Sequence, residues 1–85
     1  MIKYYSEIEK LAKGLAIRHI SFTLHNLWDG YQVIIENEFD AVCHSGSYGH
    51  EENLLEIMGS LVEGYGDDVE GYLTAEEILK RIDEK

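Results

Sequence analysis

Proline is absent from this 85-residue chain, and cysteine occurs once, at Cys43. A lone cysteine cannot close an internal disulfide, so the sequence reads as one for a reducing compartment. No stretch approaches the roughly 18 apolar residues of a membrane span. The opening Met1-Ile2-Lys3-Tyr4-Tyr5-Ser6-Glu7 lacks the apolar core of a signal peptide, which adds to the expectation of an intracellular, soluble protein. Basic residues are scarce too: seven Lys/Arg stand against 17 Asp/Glu, a net charge of −10. Nucleic acid and anionic membranes would repel such a chain, so any partner is expected to be basic. There are no repeats and no linker-like segment, and the length suits one small domain over residues 1–85.

What is present points to a folded core. The chain is 45% hydrophobic, with six Tyr, two Phe and one Trp, which excludes a disordered acidic tail. The charge is regional. Residues 1–35 hold three acids and four bases, whereas Glu36–Lys85 hold 14 acids and three bases, a net of −11.

Ile8, Leu11, Ala12 and Leu15 recur at helical spacing, with Tyr4 on the same face, Ser6 and Glu9 as a capping box and Gly14 at the end. Ile20, Phe22 and Leu24 then alternate with Ser21, Thr23 and His25, the period of a half-buried strand. Asp29-Gly30 predicts a two-residue hairpin into Tyr31–Ile35, and Asn37 a turn into Phe39–Cys43. Over residues 50–63, Leu54, Leu55, Ile57, Met58, Leu61 and Val62 share one helical arc, with Glu52, Glu56 and Glu63 opposite. Gly64–Asp68 reads as an acidic turn. Thr74 and Glu77 form a second capping box, opening a helix with Ile78, Leu79 and Ile82 as its buried stripe. The expected fold is α+β: a helix, a three-stranded antiparallel meander, and two C-terminal helices packed on one sheet face.

No enzyme constellation stands out. His19 and His25 share the predicted strand but lie six residues apart, about 20 Å at ~3.3 Å per residue, too far for one ion. Cys43 and His44 are adjacent and point to opposite faces, and Cys43 fits a core position beside Ala41 and Phe39. Gly46-Ser47-Tyr48-Gly49 lacks the lysine and spacing of a phosphate loop. No cofactor is implied. With Gly71 as its sixth position, Asp68–Glu77 resembles part of a calcium loop: Asp68, Glu70, Tyr72 and Glu77 fall on ligand positions 3, 5, 7 and 12. Gly66 stands where the first position demands Asp. A turn and helix cap explains the same residues without a metal.

The acids themselves remain. Glu52, Glu56, Glu63, Asp67, Asp68 and Glu70 are expected on one partner-binding surface, with Tyr65 as an aromatic anchor. The plainer alternative is solvation of an exposed face. Against it stands the 14-to-3 excess, because like charges so close cost stability unless a function compensates.

The blocks Ser47-Tyr48-Gly49, Leu54-Leu55-Glu56-Ile57-Met58-Gly59 and Gly71-Tyr72-Leu73-Thr74-Ala75-Glu76-Glu77 resemble a group of small acidic proteins of phages and prophages of Gram-positive bacteria. The layout and acidity are also similar to type II anti-CRISPR proteins that act as DNA mimics. The resemblance implies a non-enzymatic inhibitor, working in the cytoplasm of an infected or lysogenic host. It would occlude a basic nucleic-acid-binding surface of a defence protein such as a CRISPR effector nuclease. The alternatives are a degenerate EF-hand-like, calcium-responsive module and a homodimeric phage structural or assembly protein.

Overall fold

Ile8, Leu11 and Leu15, spaced three and four apart, are fully buried along one side of the first helix, α1 (Ser6–Ile17). The computed structural model describes residues 3–63 and 69–85. Within them, α1 does not stop at Gly14 as expected. Gly14 is buried where α1 meets the last helix, α2 (Ala75–Asp83), and a Cβ there would fall 2.3 Å from Leu79 Cδ1. Its missing side chain serves the approach of two helices rather than a terminus. The Ser6–Glu9 capping box does not form either, since Tyr5 holds the N-cap position without a side-chain cap.

Among the described residues, five strands lie between the helices: β1 (Thr23–Leu27), β2 (Gly30–Ile35), β3 (Phe39–Cys43), β4 (Leu55–Gly59) and β5 (Val69–Leu73). They form one antiparallel sheet in sequential order, so the coarse class is α+β. The three-stranded meander with two C-terminal helices is thereby corrected to five strands and one C-terminal helix. The predicted helix over residues 50–63 is absent. In its place stand a single 3₁₀ turn, His50–Glu52, and β4.

The backbone explains why. Gly49 (φ 98°), Asn53 (φ 58°) and Gly59 (φ 117°) all adopt left-handed conformations that interrupt a helix. Leu55, Glu56 and Ile57 then alternate buried, half-buried, buried, and Glu56 and Ile57 pair with Val42 and Ala41 of β3. A short apolar run satisfies helix and strand periodicity alike, and here cross-strand pairing decides.

The first hairpin is shifted by one residue. Leu27 pairs with Gly30, so Trp28 and Asp29 form its tip, with Trp28 at φ 56°. β1 begins at Thr23, and His19 lies before it rather than on a shared strand face with His25.

One sheet face carries Val33, Ile35, Ala41, Cys43, Leu55, Ile57 and Leu73, which join Ile8, Leu11, Leu15 and Ile78 of the helices in one core. α2 is opened by the expected box: Glu77 N–H donates to Thr74 Oγ1 at 3.1 Å, and Thr74 N–H to Glu77 Oε1 at 3.1 Å. Glu7 of α1 accepts from Ala75 N–H at 2.8 Å, placing a carboxylate at the positive end of α2. The register puts Thr23, His25, Gln32, Ile34, Asp40, Val42, Glu56, Met58 and Val69 on the opposite face.

Candidate functional site

All seven Lys/Arg lie at or before Arg18 or after Leu79, on α1, its flanks, α2 and the chain end. The 61 residues from His19 to Leu79 contain 13 acids and neither Lys nor Arg. The five strands therefore bring no Lys or Arg of their own to the uncovered sheet face.

Beside the ends of β4 and β5, two tyrosines and three glutamates converge. β5 carries one extra residue where Leu55 pairs with Leu73 and Ile57 with Glu70, a bulge holding Gly71 and Tyr72. Bulges bend a strand and re-aim its side chains. Tyr72 adopts φ 59° and stays 54% exposed. The Glu51 carboxylate, by hydrogen bonding and then by charge, holds the Tyr72 phenol above the ordinary pKa. The charge of Glu52 adds to the same shift.

The loop after β3 supplies the second tyrosine. Buried Ser47 anchors that loop, accepting from His44 N–H at 3.0 Å and donating to the His44 carbonyl at 2.9 Å. Tyr48 follows, 61% exposed, with its N–H donating to Glu56 Oε1 of β4 at 2.9 Å. Gly71 makes room for it, since a Cβ there would sit 2.3 Å from Tyr48 Cβ. Tyr72 N–H reaches the Tyr48 carbonyl at 3.3 Å. Thus Tyr48, Tyr72, Glu51, Glu52 and Glu56 form one acidic, aromatic surface. No Lys or Arg among the described residues bridges its glutamates; His50 lies 3.5 Å from Glu51.

The other predicted site residues lie elsewhere. Glu63 and Glu70 are drawn to Arg81 of α2, on the helix side. Arg81 Nη1 and Nη2 reach Glu70 Oε1 and Oε2 at 2.9 and 2.6 Å, Nη1 also donates to the Leu61 carbonyl at 3.1 Å, and Nε lies 3.6 Å from Glu63. The Glu70 carboxyl is held below its ordinary pKa by that guanidinium. Tyr65, Asp67 and Asp68, with the predicted Gly64–Asp68 turn, fall outside the described residues.

The continuous row Glu52–Glu56–Glu63 is thus corrected: the first two share the aromatic surface, whereas the third joins the Arg81 cluster. Of the calcium set, Glu70 and Tyr72 lie on a strand and Glu77 closes a helix cap. The loop geometry that would converge them is replaced by β5. Among the described residues, no group of three His, Cys, Asp or Glu is placed to hold a metal ion. No described helix is long and apolar enough to cross a membrane. Sequence reading passed over Tyr48, although a large aromatic between Ser47 and Gly49 was the available signal.

Set against known proteins, the chain matches no family model, no curated protein and no solved structure, so its reading rests on its own residues.

Proposed function

We propose that this chain is a non-enzymatic binding protein that uses its acidic, aromatic surface to occupy a basic groove on a nucleic-acid-handling protein. The observation that carries the reading is the convergence of Glu51, Glu52 and Glu56 with exposed Tyr48 and Tyr72, where no Lys or Arg among the described residues pairs with the glutamates. Carboxylates in such an array offer a basic groove what a phosphate backbone offers, charge that releases the groove's counterions. The tyrosines add ring faces for arginine, and both residue types are enriched at interface hot spots. A defence nuclease of the anti-CRISPR-target kind, met in the host cytoplasm, is the concrete partner, and the consequence is inhibition by occlusion.

The test is retention of a bacterial lysate on the immobilised chain at low and high salt. A basic nucleic-acid-binding protein should be held at low salt, displaced by duplex DNA, and missed by a Glu51→Lys, Glu52→Lys, Glu56→Lys triple variant. Equal retention by the triple variant, or indifference to DNA, would sink the reading.

A further inference from the structure

The sheet has two edges, and they are treated differently. β5 is protected by its bulge, by the charge of Glu70 and by a cover, the Tyr48 carbonyl accepting from Tyr72 N–H. β1 has none of these protections. Its register with β2 runs unbroken through five pairs, it holds no proline and no charged residue, and Thr23, Leu24, His25 and Asn26 are all exposed. Among the described residues, no hydrogen bond from outside the sheet reaches it.

The charge pattern selects the occupant. Two copies of a chain with net charge −10 repel one another wherever acids meet. From His19 to Trp28 there is no Asp, Glu, Lys or Arg, so this stretch can approach its own copy without adding repulsion at the contact. A charged peptide finds no countercharge on the same strand. We propose that β1 pairs antiparallel with β1 of a second copy, about a two-fold axis through His25, joining two five-stranded sheets into one.

The register follows from the hairpin. A two-residue turn closes on a hydrogen-bonded pair, here Leu27–Gly30, and pairs alternate from there. The outward-turned peptide groups are then those of Leu24 and Asn26. A two-fold at His25 sets each Leu24 opposite the second copy's Asn26 and satisfies both sets of groups. His25 faces its own counterpart in the close, non-hydrogen-bonded position, with Cα atoms about 4.5 Å apart.

Sedimentation of the full chain over a concentration series, at low and high salt, tests this. Dimer should grow with concentration and with salt, because screening relieves the repulsion between acidic copies. That direction is opposite to the one expected for the basic partner. His25→Asp sets like charges directly opposite and should weaken the dimer several-fold. His25→Cys should crosslink to itself on mild oxidation, whereas Thr23→Cys, with copies about 14 Å apart at ~3.4 Å per residue, should not. Buried Cys43 does not compete. A monomer at every concentration and salt overturns the proposal. So does a dimer that survives His25→Asp or fails to crosslink through Cys at position 25.

Discussion

Cys43 shows how one position in the core couples the fold to pH. It lies on β3 with no exposed surface, and burial, then the charges of Asp29 and Glu7, push its thiol up to about 11 from an ordinary 9.0. The unfolded chain loses this proton near the ordinary value while the folded chain keeps it. Stability from this group is therefore complete below pH 9.0 and falls as pH rises toward about 11. The loss should be on the order of 2 kcal/mol. Denaturant unfolding across that window, beside a Cys43→Ala variant, measures it: the variant should lack this part of the alkaline decline. The native thiol should also resist thiol reagents at neutral pH and react once the chain is unfolded.

At the scale of elements, the Glu70–Arg81 pair ties β5 to α2, and Arg81 also holds the Leu61 carbonyl after β4. Arg81→Met should cost about 1–2 kcal/mol at neutral pH, since a bidentate, part-buried pair exceeds an ordinary surface bridge. Glu70's folded pKa lies below its ordinary 4.5, so the contribution is present above 4.5 and lost as pH falls through the lowered value. Urea unfolding of wild type and variant should show their difference shrinking in acid; a difference unchanged by pH would assign the cost to lost packing instead.

No local pattern announces this pair, because residues 70 and 81 meet only after β5 and α2 have docked. α1, the β2–β3 hairpin and the Thr74–Glu77 cap were legible because each is decided by neighbours in sequence. β4 was not. Leu54–Met58 fits a helix face as well as a strand, and the strand's advantage lies in β3, more than ten residues away. The candidate surface suffered the same fate: Glu52 and Glu56 were identified from charge, but their meeting with Tyr48 and Tyr72 depends on the β5 bulge.

For the molecule as a whole, the question is whether the acids on the sheet side serve solubility or recognition. No Lys or Arg among the described residues forms an ion pair with Glu51, Glu52 or Glu56, so repulsion among them is relieved by no direct contact with such a cation. Glu52 is exposed and accepts no side-chain hydrogen bond in the described structure, so reversing it removes repulsion and little else. Glu52→Lys should therefore stabilise the fold by about 0.3–1 kcal/mol at low salt, with the gain fading at high salt. Thermal unfolding at two ionic strengths measures that gain. The same substitution should weaken capture of the basic partner roughly tenfold or more, as expected when a charge at an interface meets a like charge. A surface kept only for solvation would show the stability gain without the binding loss. Gain and loss together would mean that the unfavourable charge is retained for binding, as functional sites commonly trade stability for activity.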